Sequence, residues 1–266
     1  MGGDAVRFRG VLFDLGQTLL EYPGNTHEFW RGFLAERLTD MQPLFRDISA
    51  EVGDDADAFV ERAMDVMWPE RKVNMSGRSW RFRERLEALM ESYGHGRCDD
   101  SECERLTEEF YRPIGEGTRP YPETLEVLTT LRARGIRMAI ISNAPWDVPG
   151  RLLRADMRKW EIEKFFDAFV MSGDVAWRKP NPEFMLAAAR ELEVGPEECL
   201  VVGDSLKADI AGARAAGMRS VWINREGLPL PAGGPRPDWS GEGLRKVVRI
   251  VVGDDRDDRE PVPGAP

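Results

Sequence analysis

Asp14, Ser142, Lys179, Asp204 and Asp209 are the side chains of this sequence whose types and placement could do chemistry together. Asp14 lies in VLFDLGQTLL, where Val11, Leu12 and Phe13 form an unbroken apolar run and Gly16 follows in a turn. A run without alternation predicts a central parallel strand covered on both faces. A carboxylate at the carboxyl end of such a strand stands where open α/β sheets bind ligands, and there it is a candidate nucleophile. By itself Asp14 could equally cap its turn. Three further stretches change that balance. MAIISN ends in Ser142 and Asn143, RKPNP supplies Lys179, and LVVGDSLKAD ends in Asp204 with Asp209 close behind. Each delivers a polar residue suited to a phosphate or a metal ion.

The elements that must position these residues follow from periodicity. Beyond Tyr121-Pro122-Glu123 the pattern alternates, with strands expected at 137–142, near 168–171, 199–203 and 219–223. Helices are expected between them, near 148–160, 182–193 and 206–215, after a first one whose buried face is Leu125, Leu128 and Leu131. Such alternation predicts an α/β fold, a doubly wound parallel sheet with right-handed crossovers, built from residues 1–21 and 119–252. Residues 22–118 read as an all-helical insertion without a strand. Asn25 and Glu28 have capping-box spacing, and apolar faces follow: Phe29, Trp30, Phe33, Leu34 and Leu38, then Phe59, Val60, Ala63, Met64 and Met67, then Trp80, Leu86, Leu89, Met90 and Tyr93, then Cys103, Leu106 and Phe110. Tyr22-Pro23-Gly24 and Ile114-Gly115-Glu116-Gly117-Thr118 bracket the insertion as two hinges. Residues 229–240 read as a Pro/Gly-rich loop before a last amphipathic helix through Val247, Val248 and Val251. The acidic end, 253–266, can bury nothing and reads as a disordered tail.

The order nucleophilic Asp, Ser, Lys, acidic pair resembles the four motifs of the haloacid dehalogenase-like hydrolases, over essentially the whole chain except its last dozen or so residues. The resemblance implies a Rossmann-like core with the Asp14 strand in the middle, flanked by the Ser142 and Asp204 strands. The helical insertion between the first two motifs would be a cap that closes over the site and selects the substrate, excluding water as it closes. The implied activity is hydrolysis of a small-molecule phosphate ester through an aspartyl-phosphate on Asp14. Lys179 would neutralise the phosphoryl oxygens and Asp14. Ser142 would donate a hydrogen bond to the phosphate, and the Asn143 backbone another. Attack on an anionic phosphate needs positive charge on its oxygens. Asp14, Asp204 and Asp209 with the Gly16 carbonyl would form an all-oxygen site suited to magnesium. Arg178 reads as a surface neighbour of Lys179.

Gly16 departs from the pattern, because most phosphatases of this family carry a second Asp at that position as general acid and base. Its loss leaves water, substrate groups, Gln17 or His27 as candidates, and favours activated phosphates over alkyl ones. Gly16→Asp is then expected to raise turnover of alkyl phosphates, given room for the carboxylate. Two rival readings are a pseudoenzyme that binds a ligand or protein, and a metal-independent dehalogenase. The latter would carry Tyr at position 16, and the acidic pair argues against it.

The formal charge of −10 lacks any offsetting basic stripe, which argues against a nucleic-acid partner. Cys98, Cys103 and Cys199 have no metal-type spacing and leave one unpaired under any bridge, so they read as reduced. No apolar run approaches the roughly 20 residues of a membrane span, and MGGDAVRFRG lacks the apolar stretch of a signal peptide. A cytoplasmic protein is the expectation.

Overall fold

The computed structural model describes residues 8–24, 26–68, 77–95 and 97–253. The Asn25 helix start and the tail from 254 onward therefore lie outside the described residues. The chain enters through β1 (Gly10–Phe13) and, six residues on, the short β2 (Leu20–Glu21). Four helices follow, α1 (His27–Ile48), α2 (Ala56–Met67), α3 (Phe82–Ser92) and α4 (Asp100–Gly117). Strand β3 (Arg119–Pro120) then pairs antiparallel with β2, so the insertion leaves and returns across one two-residue ribbon. The described cap of α1 is Thr26, whose side chain accepts from the Phe29 amide. The glycine-rich return at 114–117 is helical to its end as part of α4. Gly115 is needed for packing there, since a Cβ would lie 2.6 Å from Asp156 Oδ1.

The remaining elements alternate: α5 (Thr124–Ala133), β4 (Arg137–Ser142), α6 (Gly150–Lys159), β5 (Ala168–Met171), α7 (Pro182–Glu191), β6 (Cys199–Gly203), α8 (Ala211–Ala215), β7 (Arg219–Ile223), β8 (Trp239–Gly241) and α9 (Arg245–Val252). The sheet order is β5-β4-β1-β6-β7-β8, every neighbouring pair parallel, with β1 between the strands that end at Ser142 and Gly203. Because side chains alternate along a strand, Val11 and Phe13 pack with α5, α6 and α9, while Leu12 packs with α7 and α8. Both faces are covered, as the unbroken apolar run requires, and each such fully buried side chain contributes about 1.5–3 kcal/mol.

Three details differ from the sequence expectation. Leu125 is exposed and Val127 takes its place on the buried face of α5, because the helix begins at Thr124 and its phase is set by Leu128 and Leu131. The Pro/Gly loop ends in a strand, β8, which extends the sheet at its edge and rests Trp239 edge-on to Phe8. The expected helix 206–215 opens as a π turn, Leu206–Ile210, in which the amides of Asp209 and Ile210 both reach the Ser205 carbonyl.

Candidate active site

The carboxyl ends of β1, β4 and β6 bring Asp14, Ser142 and Asp204 to one edge of the sheet, where parallel strands leave their last carbonyls and side chains pointing at a crevice. Lys179 arrives on the loop before α7. Its ammonium is buried and all three of its hydrogens are directed: to Asp14 Oδ1 at 2.5 Å, Asp209 Oδ1 at 2.7 Å and the Ile141 carbonyl at 2.9 Å. Asn143 clamps the lysine backbone, accepting from Lys179 N at 2.8 Å and donating Nδ2 to Lys179 O at 3.1 Å. The other oxygen of Asp14 accepts from Thr18 Oγ1 at 3.1 Å. Asp209 reaches the same point because the π turn swings it back over Gly203, where a Cβ would lie 2.3 Å from its Cγ. Its second oxygen accepts from the Ser205 amide.

Asp14, Asp204 and Asp209 each place a carboxylate oxygen within 4.8 Å of the others. Burial pulls the Lys179 ammonium toward losing its proton, but Asp14 and Asp209 outweigh it and the net shift is upward. Burial, then Asp14 and Asp209, push the Asp204 carboxyl well above the usual carboxylate range. Burial raises Asp209 as well, with Lys179 opposing. One ammonium against three carboxylates leaves a negative excess in a recessed place. A hard cation relieves that excess, and an all-oxygen donor set is what magnesium or calcium selects. These residues therefore fit a divalent metal.

All seven residues singled out in the sequence (Asp14, Gly16, Ser142, Asn143, Lys179, Asp204 and Asp209) line one cavity of about 480 Å³. Gln17 and His27 line it too, in different roles. The Gln17 amide donates to the carbonyls of Tyr22 at 3.3 Å and Gly24 at 3.1 Å and accepts from Tyr121 Oη at 2.9 Å, so it ties residues 22–24 to the start of the loop before α5. His27 stands on α1, edge-on to Trp68 with ring centroids 5.0 Å apart.

Several participants were not apparent from sequence. Tyr22 fills the space beside Gly16, where a Cβ would lie 2.4 Å from Tyr22 Cδ2. Arg178, read as a surface residue, is half-buried and its Nη1 donates to Asp147 Oδ2 at 3.1 Å. Asp147 is fully buried. It also accepts from the Trp80 amide at 3.1 Å, lies 3.7 Å from Arg85 Nη2, and receives a short hydrogen bond from Ser172 Oγ. Burial lowers the Arg85 guanidinium to about 10 against the pull of Asp147. These partners are far apart in sequence, so no local spacing could have found them. The adjacency of Arg178 to Lys179 was the only available hint.

A family description of haloacid dehalogenase-like hydrolases matches residues 8–217. The chain belongs to the haloacid dehalogenase-like hydrolases. Curated relatives carry phosphatase names. A phosphoserine phosphatase of Thermus thermophilus is 31% identical over 81% of this chain and 84% of its own. A phosphoglycolate phosphatase of Shigella boydii is 29% identical over 81% of each. The crystal structure of a HAD phosphatase from Thermococcus onnurineus superposes with a TM-score of 0.62 at 24% identity, covering 92% of this chain and 98% of that one. A 2-haloacid dehalogenase from Pseudomonas syringae also superposes at 0.62, with 22% identity and coverage of 93% and 99%. Those two likenesses concern the fold. No helix among the described residues of this hydrolase is long and apolar enough to cross a membrane.

Proposed function

We propose that this hydrolase is a magnesium-dependent phosphatase that cleaves a small-molecule phosphate ester through an aspartyl-phosphate on Asp14. The observation that carries the reading is the buried ammonium of Lys179 held between Asp14 and Asp209, with Asp204 inside the same 4.8 Å cluster. A lone Asp–Lys pair would suit binding or structure. Three carboxylates around one lysine suit an anionic substrate only if a further cation joins them.

In this reading Asp14, the Gly16 carbonyl, Asp204 and Asp209 hold the metal, whose chemistry is to withdraw charge from the phosphoryl oxygens and to align them. Lys179, fixed at all three hydrogens, orients Asp14 and adds a positive charge to the face that receives the phosphate. Thr18 holds the second oxygen of Asp14, leaving the carboxylate one rotamer from which to attack phosphorus. Ser142 and the amide that follows it, both on the lining of the same cavity, would donate to the transferred group. The bond formed is Asp14 Oδ to phosphorus and the bond broken is phosphorus to the ester oxygen; water then cleaves the acyl phosphate and restores Asp14. Residues 22–118 act as the cap over a core of residues 1–21 and 119–252, confining the phosphate while this happens.

The proton for the leaving group is the weak point. Burial, then the charge of Asp156, raise the Tyr22 phenol well above its ordinary value, so the residue that fills the space beside Gly16 is a poor acid. Esters whose leaving group needs no proton should react fastest. The test is turnover of a phosphate-ester panel with magnesium and in excess chelator, with trapping of radiolabelled phosphate on Asp14. Undiminished activity in chelator, or no label on the chain, would overturn this function.

A further inference from the structure

The cavity is lined by two unlike sets of side chains, the polar cluster around Asp14 and an aromatic set. Trp30 and His27 come from α1, Met67 and Trp68 from the end of α2, and Trp146 from the core loop that follows Ser142. Trp146 is the centre of this wall. Its ring centroid lies 5.8 Å from Trp30, 5.7 Å from Trp68 and 5.1 Å from Phe110. The turn that carries it has an unusual backbone, with Trp146 at φ 49° and Asp147 at φ 53°. Two successive left-handed non-glycine residues persist only where surrounding bonds over-determine them. The bonds here are those to the Asp147 carboxylate, from Ser172, Arg178 and the Trp80 amide. Strained backbone is thus held by buried charge so that an indole from the core projects among rings of the cap.

Trp146 Nε1 is buried without a hydrogen-bond partner among the described residues and lies out of reach of a molecule in the cavity. The charged side chains of this part of the lining, Arg85 and Arg178, both direct a guanidinium at Asp147, and Arg85 also donates to the carbonyls of Trp80 and Met67. Asp147 offsets one of these two guanidinium charges, so among the three residues a positive charge is left beside the indole faces. The volume, about 480 Å³, is also well within the ~300–1,000 Å³ of ordinary small-molecule pockets and far more than a two-carbon acid fills.

We infer that the substrate of this hydrolase is a phosphate monoester whose leaving group carries a flat aromatic ring, seated against Trp30, Trp68 and Trp146. This deepens the proposed function and rests on its placing of the phosphate at Asp14 and Lys179. A ring lies edge-to-face or offset on indoles and loses little conformational freedom on binding.

Leaving-group reactivity would confuse a comparison of aryl with alkyl esters, so the probes keep an alkoxide leaving group and differ only in the ring. Benzyl and ethyl phosphate serve for turnover, and benzylphosphonate and ethylphosphonate, which cannot be hydrolysed, for calorimetric affinity in magnesium. The expected result is about tenfold or greater preference for the benzyl member in both kcat/KM and Kd, with phosphoglycolate and phosphoserine weaker than benzyl phosphate. Trp68→Leu, which keeps apolar bulk and loses the ring face, should cut the benzyl-to-ethyl ratio to about threefold or less, and Trp30→Leu likewise. Equal affinity for the two phosphonates in the wild-type protein overturns the inference, whether or not a variant folds. So does a ratio that both folded variants leave untouched. Selective binding of benzylphosphonate with no hydrolysis of any ester would leave the aromatic site standing and bring down the phosphatase reading instead.

Discussion

The floor and the wall of the cavity are stabilised by opposite means. The floor is made of strand ends and is held by charged hydrogen bonds: every hydrogen of the Lys179 ammonium has an acceptor, and both oxygens of Asp14 and of Asp209 have donors. The wall is made of helix faces and one strained turn, and it is held by ring packing among Trp30, Phe33, Trp68, Phe110 and Trp146. Charged networks tolerate little displacement, since an unpaired buried charge costs several kcal/mol. Apolar packing tolerates exchange of one shape for another of like volume. The floor is therefore suited to one reaction on many substrates, and the wall to one substrate among many. Floor changes should lower the rate on every ester alike, whereas wall changes should alter the ratio between esters.

The largest effect expected from the floor is that of Asp14→Asn, which removes the nucleophile while keeping the shape. Turnover should fall by on the order of 10⁴-fold or more on all esters, with an unaltered circular dichroism spectrum. A fall confined to some substrates would break the division between floor and wall.

Next comes the metal. Chelation, or Asp204→Asn, should reduce activity by roughly 10²- to 10³-fold across the panel. Asp204→Asn should also weaken magnesium binding measured by calorimetry, without unfolding the chain. A variant that binds magnesium as the wild type does would remove Asp204 from the floor.

Gly16 and Tyr22 sit where floor meets wall, and here the structure revises an expectation. Restoring a carboxylate by Gly16→Asp alone lacks room, because a Cβ would lie within 2.5 Å of two Tyr22 ring carbons. Overpacking of this kind costs about 1–3 kcal/mol, and each kcal/mol lowers the melting temperature of a domain this size by roughly 2–4 °C. The single variant should therefore melt earlier and gain nothing. Gly16→Asp with Tyr22→Ala should make room, and turnover of ethyl phosphate should then rise by up to about 10²-fold over that of Tyr22→Ala. No gain in a folded double variant would show that another residue already supplies the proton, with His27→Ala as the following measurement.

The smallest effect concerns Asp156, a buried carboxylate of α6 that accepts from Tyr111 Oη of α4 at 2.6 Å and so joins core to insertion. Burial raises it from 3.8 to about 6. The folded state then holds the proton more tightly than the unfolded one. Its stabilisation is complete below about pH 4, is lost as pH rises toward 6, and stays lost above that. Asp156→Asn keeps an acceptor for Tyr111 and removes the titration. Relative to wild type, the variant should gain on the order of 1–3 kcal/mol between pH 4 and 7 in urea unfolding. Parallel pH curves for the two proteins would show that Asp156 does not titrate in this range.

The sequence by itself determined the sheet and the floor. Unbroken apolar runs such as Val11–Phe13 can only be buried on both faces, and a parallel strand so buried delivers its next residue to the carboxyl edge. Asp14, Ser142 and Asp204 are therefore placed by local pattern, and Lys179 and Asp209 by order along the chain. The helices of the insertion were legible from 3.6-residue periodicity, though not which of their residues line the cavity. Only tertiary structure decided that Tyr22 would fill the space beside Gly16, that Arg178 would turn inward, and that Trp146 and Asp147 would join core to insertion. The two-residue β2–β3 ribbon and edge strand β8 also escaped the sequence, being too short to show a period. Most of these are fixed by partners outside their own element, and periodicity, which reports which side of an element is buried, carries no information about what it is buried against.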